Sequence, residues 1–462
     1  MRLFPICYNN MVKDAMMKKT IGVLLFMALM WPAMSQHLTL DSCKALALRN
    51  NVAARNADLQ VEAAREVKKQ AFTKYFPNVK GFAGGYYALK PLFEYTIDDI
   101  DNAAARQWLH NLYFEYGAAM GLPNSISFFE KGMSVGAMAV QPIFMGGQIV
   151  NGNRLAQVGV RAAELQRDLS RDELLLQVES YYWQVISLQE KEQTLHQAMT
   201  FLDTLSRDVN TAVEAGLVTR NDQLKVMLKQ NELASNRVRL TNGMRLAKMA
   251  LCQQLGIPYS DALLLVDSVM DVPASDLGDV NVQTAVQSRR EAELLDLNVR
   301  AEQLKKKMAL GENLPHLMAG VGASYGNPVI DRFSANGLAF ATLQVPITDW
   351  WEASHKLRQQ QISVQMAENQ REDLMQKMTL ETQQAVNKVI EAEEQVQLKQ
   401  TSVQYAEVNR QTYRVNFQAG MVPVSELLEA QTLYRQAQDE LIDAKIEYWK
   451  ALSALQRLLP RE

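Results

Sequence analysis

The chain has 462 residues, 48% of them hydrophobic and 21% charged, which leaves room for more than one compact unit and excludes a disordered polymer. A net charge of −3 gives no electrostatic basis for a nucleic-acid partner, and the one dense basic run, Lys305-Lys306-Lys307, lies in a helical pattern where it reads as a solvated face.

At the N-terminus, Lys18-Lys19 precedes the apolar run Ile21 to Trp31 and then Ala33-Met34-Ser35, the layout of a signal peptide over residues 1–35. The run is shorter than the ~20 apolar residues of a spanning helix. Met16 or Met17 is the expected start, with residues 1–15 an upstream extension. Two cysteines, Cys43 and Cys252, then remain in the exported chain. Their spacing suggests neither metal nor redox chemistry, a disulfide between them stays open, and no cysteine follows the signal segment to carry a lipid.

Thr39 to Phe76 reads as a helix stopped by Pro77, and the glycine–aromatic mix of Val79 to Leu89 reads as a strand. Residues 91–132 form a long loop with room for a short helix, after which Met133 to Phe144 is a second strand ending near Pro142. Gly146-Gly147 make the turn into a very long helix, Ile149 to Val213, of roughly 95 Å at ~1.5 Å per residue. Its apolar residues recur at sevens, in one row Leu155, Ala162, Leu169, Leu176 and Trp183, in another Leu188, Leu195, Leu202 and Val209. That period marks coiled-coil packing. The turn at Gly216-Leu217-Val218 leads, through a capping box of Thr219 and Asp222, to a shorter helix ending at Leu255. Residues 36–258 thus form a first repeat and 259–279 a linker.

The plan then recurs over residues 280–462. Val282 to Glu312 is helical, Pro315 is the stop, and strands Met318–Tyr325 and Leu338–Val345 flank a short loop, 327–337. Pro346 and Trp350-Trp351 precede a second very long helix, Glu352 to Phe417. After the turn Gly420-Met421-Val422, with Pro423 at the first helical position, the last helix alternates Leu427, Tyr434, Leu441, Tyr448 and Leu455 with Ala430, Ala437, Ala444 and Ala451. The offset from Gly216 to Gly420 equals the offset from Pro142 to Pro346, which indicates an internal duplication.

The expected fold is therefore mainly α with a small β part, four strands per chain. Four strands cannot close a barrel, and open strand edges cannot sit in lipid, so a membrane location would require an oligomer; three chains would supply twelve strands.

The order, spacing and duplication of Tyr75-Phe76-Pro77, Gln141 to Gly147, Glu214 to Val218 and Gly420 to Ala430 resemble the TolC-like outer membrane efflux protein family, from about Thr39 to Leu458. The resemblance implies a homotrimer with a twelve-stranded barrel in outer-membrane lipid and a coiled-coil α-helical tunnel through the periplasm of a Gram-negative bacterium. Loops 91–132 and 327–337 would face outside, with Pro77, Pro142, Gly146, Gly147, Pro315, Pro346, Trp350 and Trp351 at strand-to-helix junctions. Tryptophans there suit either a membrane interface or burial at the junction. The two glycine turns would form the periplasmic tip, in contact with a periplasmic adaptor protein and an inner-membrane transporter. Glu426 and Glu429, three apart on one helix face, match the family's acidic ring at the gate. Where the family often has an aromatic three residues before the second glycine and a basic residue two after it, this chain has Phe417, without a hydroxyl, and Val422. Passive conduction of small molecules in tripartite efflux is the implied function, with protein secretion as the alternative cargo route.

Two other classes compete. An enzyme would need a catalytic constellation, and His37, His110, His196, His316 and His355 are isolated, with no HExxH, CxxC or nucleophile elbow and no cofactor motif. A periplasmic coiled-coil adaptor without a pore would not need the duplicated strands.

Overall fold

A computed structural model describes residues 37–90, 93–117, 120, 125–128, 131–268, 271–272, 281–327, 333–347 and 350–460. The signal segment lies outside them. In chain order the elements are β1 (His37–Leu38), α1 (Leu40–Asn50), α2 (Val52–Thr73), β2 (Asn78–Tyr87), β3 (Phe93–Thr96), α3 (Ala103–Leu112), β4 (Ser125–Phe128), β5 (Lys131–Met145), α4 (Gln148–Glu214) and α5 (Arg220–Leu255). There follow β6 (Leu264–Leu265), α6 (Val282–Ser288), α7 (Arg290–Glu312), β7 (His316–Gly326), β8 (Ser334–Gln344), α8 (Trp350–Gln418) and α9 (Val424–Leu458).

Two compact units cut across the duplication, because the long helices pass through both. The strand unit comprises Gln60–Leu165 and Glu293–Leu374; the helical unit takes the rest. Two expected helices are broken in two. The first stops at Asn51, whose side chain accepts the Ala53 N–H at 2.7 Å and donates to the Gln254 carbonyl at 2.8 Å. A buried amide that bonds the backbone on both sides competes with helix continuation. The second stops at Arg289, a buried guanidinium held by Glu291 (3.0 Å) and Glu381 (2.9 Å).

In the strand unit the sheet is antiparallel in the order β2-β5-β7-β8. β5, β7 and β8 run longer than expected while β2 ends at Tyr87 rather than Leu89, so the loop between β7 and β8 shrinks from 327–337 to 327–333, and residues 131–132 belong to β5 because they pair with Tyr87 and Tyr86. The 91–132 segment holds its own structure, an antiparallel β3–β4 pair and the helix α3. Pro142 does not end β5. The register of β5 on β7 shifts between Pro142 and Phe144, and β2 pairs no further than Val140, so the proline's missing N–H falls where the ladder is already irregular.

The register sorts the sheet into two unlike faces. Val79 pairs with Ala139, Ala139 with Val321 and Val321 with Ala339, so odd-numbered residues share one side of all four strands. Between Val79 and Leu343 that side carries only Gly, Ala, Val, Ile, Leu, Met and Tyr, apart from Lys131 and Gln141 towards the two ends of β5. The even side holds Lys80, Ser134, His316, Ser324, Asn336 and Thr342 among apolar residues.

In the helical unit part of the predicted heptad rows is buried, whereas Leu169 and Leu176 of the first α4 row are only half-buried. Leu195, Leu202 and Val209 of α4 join Val226 and Leu233 of α5 and Val424, Leu427 and Leu428 of α9 in one cluster. Val389 and Val396 of α8 join Tyr448, Ala451 and Leu455 of α9 in another. A third gathers Cys43 and Ala47 of α1 with Tyr182, Trp183, Leu251 and Cys252. Both cysteines are free and buried there, and burial pushes the Cys43 thiol up to about 12. The 259–279 segment is more than a linker: β6 pairs in parallel with β1, and Asp267 accepts the Tyr182 hydroxyl at 2.5 Å and the Leu40 N–H at 3.2 Å.

Among the described residues no helix is long and apolar enough to cross a membrane.

Candidate functional site

The two glycine turns are built alike. At the end of α4 the Gly216 N–H donates to the Val213 carbonyl (3.0 Å) and the Leu217 N–H to the Ala212 carbonyl (2.9 Å). At the end of α8, Gly420 donates to Phe417 (3.0 Å) and Met421 to Asn416 (2.9 Å). This is the Schellman pattern, which needs a left-handed residue at the glycine, and φ is +74° at Gly216 and +71° at Gly420. The turns present Leu217 and Met421 to solvent at 81% and 76% exposure, while Val218 packs on the cluster of Leu195, Leu202 and Val209 and Val422 is half-buried. Each turn thus offers one bare apolar side chain on a short hydrogen-bonded loop.

The helices leaving the turns start differently. Thr219 caps α5, accepting the Asp222 N–H at 3.3 Å, and its hydroxyl donates to the Asp222 carboxylate at 2.7 Å, which holds that carboxyl below its ordinary range. Pro423 occupies the cap of α9 rather than the first helical position, with no side-chain cap bond. Glu426 and Glu429 are exposed, on the side of α9 away from the buried Leu427 and Leu428. Phe417 packs against the same buried cluster, adding an aromatic ring to the apolar core beside the turn.

A polar cluster that sequence reasoning missed ties α8 to α9. Arg410 makes two bonds to Glu407, at 2.9 and 2.7 Å, and its guanidinium lies 4.8 Å over the Tyr434 ring, whose hydroxyl accepts from Gln438 at 3.0 Å. The Arg410 bond lowers the Glu407 carboxyl, and burial raises the Tyr434 phenol. The sequence shows Tyr434 only as a heptad position, since a cation–π contact leaves no spacing signal across two helices.

At the strand-to-helix junctions, Pro77 and Pro315 precede β2 and β7 directly and Pro346 follows β8. Gly146 (φ +58°) and Gly147 (φ +79°) turn β5 into α4. Gly146 is also in close contact: a Cβ added to it would lie 2.0 Å from the Gly311 carbonyl oxygen, and one on Gly311 would lie 2.3 Å from that of Gly146. Gly311 is legible in the sequence only as a helix glycine. Trp351 is 83% exposed in the first turn of α8, which suits the interface reading; the side chain of Trp350 lies outside the described residues.

Residues 282–460 match the family described as Outer membrane efflux protein. No curated protein sequence matches the chain significantly. The fold is that of solved outer-membrane channels. CmeC of Campylobacter jejuni superposes with a TM-score of 0.73 at 16% identity, covering 91% of this chain and 85% of that one. VceC of Vibrio cholerae gives 0.71 at 14% identity, with 91% and 95% covered. The open state of MtrE of Neisseria gonorrhoeae gives 0.73 at 13% identity, with 91% and 88% covered. The sequence of the second repeat thus matches the outer membrane efflux protein family, and the fold of the whole chain is similar to that of solved outer-membrane channels.

Proposed function

We propose that three copies of the chain form one outer-membrane channel, which passively conducts small molecules handed over by an adaptor and an inner-membrane transporter. The observation that carries this reading is the two-faced sheet. Its odd side is apolar over most of its length and suits lipid, its even side mixes polar groups and suits a lumen, and β2 and β8 leave their outer edges unpaired among the described strands. Strands of 10 to 15 residues are long enough to span a bilayer. Pairing β8 of one copy with β2 of the next removes every edge, and three copies reach twelve strands.

The test is extraction. The exported chain should leave the outer-membrane fraction only with detergent, run as a trimer by native mass, and raise the conductance of a planar bilayer. A monomer soluble without detergent would overturn the reading.

Glu426 and Glu429 serve, in the same reading, as a ring of six carboxylates at the tip of the trimer. Such a ring is a fixed negative field that favours cations. Glu426→Gln with Glu429→Gln is expected to lower cation-over-anion selectivity and weaken block by multivalent cations in single-channel recordings. Unchanged selectivity would leave the two acids as stabilisers of the α9 N-terminus.

A further inference from the structure

A groove of about 1250 Å3 lies between α2, α4 and α7 of the strand unit, roomier than the ~300–1,000 Å3 of an ordinary small-molecule site. Pro142 and Met145 of β5 bound its upper end, and from Ile149 to Ala162 it follows α4 for about 20 Å. Two glycines inside α4 open it. A Cβ at Gly159 would meet no neighbouring atom within 4 Å, and one at Gly152 would come to 3.8 Å of the Met308 Cε. A glycine inside a helix usually has a packing or a functional reason, and here no packing partner fills the space. The lining is sorted by height. The Asn153 side chain donates to the Ala71 carbonyl at 2.9 Å and Met308 lies beside Gly152, which sets Lys74 and Lys305, each one turn away, along the upper half. Among the described residues lining the groove these lysines are the only charges. Lys74 is exposed and has no ion pair among the described residues, and Lys305 holds Glu302, one turn back on its own helix, at 2.7 Å. The lower half is lined by Ala64, Val67, Leu294 and Leu297, with Asn298 its one polar side chain. The bulge in β5 decides which way the groove opens. Pro142 pairs with Met318 and, past the bulge, Met145 pairs with His316, so both stand on the even side of the sheet, the side that suits a lumen. Ile143 and Phe144 are exposed on the other side.

We infer that this groove is a cargo site in the channel wall for a small amphiphile with one anionic group, its carboxylate or sulfonate on Lys74 and Lys305 and its apolar body running down towards Ala162. The inference rests on the proposed channel and deepens it by naming a class of cargo. Charge sets the class: two cations with no carboxylate in the lining favour an anion, and a hydrogen bond between two ions is stronger than one between neutral groups. The apolar half sets the rest, since an inorganic anion would leave it in contact with water alone. The basic run Lys305-Lys306-Lys307 is thereby divided in its roles, with Lys305 lining the groove and Lys306 bonded to Gln361.

The full exported chain in a planar bilayer of phosphatidylcholine tests the site, with dodecanoate as the probe and dodecyltrimethylammonium as its cationic counterpart. Dodecanoate should interrupt the single-channel current at concentrations where the cation does not. Lys74→Ala with Lys305→Ala should weaken that block about tenfold or more. Lys74→Glu with Lys305→Glu should transfer the block to the cation. Gly159→Leu, whose Cβ enters open space, should abolish it. If Gly159→Leu does not assemble, the two lysine pairs decide alone, since both lysines are exposed. Equal block by the two amphiphiles, or a block that these variants leave unchanged, overturns the site, while the conductance itself leaves the channel reading standing. A chain that forms no conducting trimer overturns both. Native mass of the trimer extracted from outer membranes separates cargo from membrane lipid. Phosphatidylglycerol retained by the unaltered chain and lost from Gly159→Leu would place lipid in the groove and overturn the assignment to cargo.

Discussion

Val321→Arg is expected to remove the chain from the outer membrane. Val321 sits mid-strand on β7, paired with Ala139 on one side and Ala339 on the other, on the sheet face that carries no charge between its ends. If that face meets lipid, a guanidinium near its centre costs about 2–4 kcal/mol, falling towards ~0–1 at the interfaces. Ser324→Arg is the matched control, further along the same strand on the even face. There a charge can stay hydrated in the lumen, and the expected effect is small. The amount of detergent-extracted trimer reads both variants. Equal losses would mean that the faces are not lipid and lumen, and the proposed channel would lose its main support.

The second large effect separates two glycines with the same backbone sign. Gly146 and Gly420 both have positive φ, +58° and +71°. Alanine at either is strained by roughly 1–2 kcal/mol for the left-handed conformation. At Gly420 no atom lies within 4 Å of the added Cβ, so the strain is the whole cost. At Gly146 the Cβ meets the Gly311 backbone, and displacing packed backbone adds about 1–3 kcal/mol. Gly146→Ala should therefore melt well below Gly420→Ala. Gly311→Ala, with no positive φ but a Cβ 2.3 Å from the Gly146 oxygen, should show the contact penalty alone. Thermal unfolding of the detergent-solubilised protein gives the order. Equal melting points for Gly146→Ala and Gly420→Ala would show that the junction relaxes around the methyl group.

The sequence by itself determined much of this molecule, wherever the information is local or periodic. Heptad spacing placed buried seams of α4 and α9, because an apolar side chain every seven residues returns to one helix face. The two glycine turns were legible because only a residue tolerant of positive φ ends a helix that way. The duplication was legible from equal offsets at the turns and at Pro142 and Pro346. Pro77 and Pro315 stand further apart than that common offset, and the excess is the extra length of the connection between β2 and β5. The structure inside that connection and the helix breaks were not legible. A buried Asn51 or Arg289 inside a good helical pattern signals nothing until its partners, Gln254 and Glu381, arrive from helices far along the chain.

Only the tertiary structure decided the pairing register that puts the odd strand residues on one face up to the irregularity after Pro142, since a slip of one residue would exchange the faces. It alone brought Gly311 against Gly146 and Arg410 over Tyr434. It also brought Lys74 and Lys305 to one groove beside α4. The physical reason is common to all of these. Sequence periodicity specifies which side chains share a face of one element, while the partner of that face is chosen by contacts between segments distant in the chain.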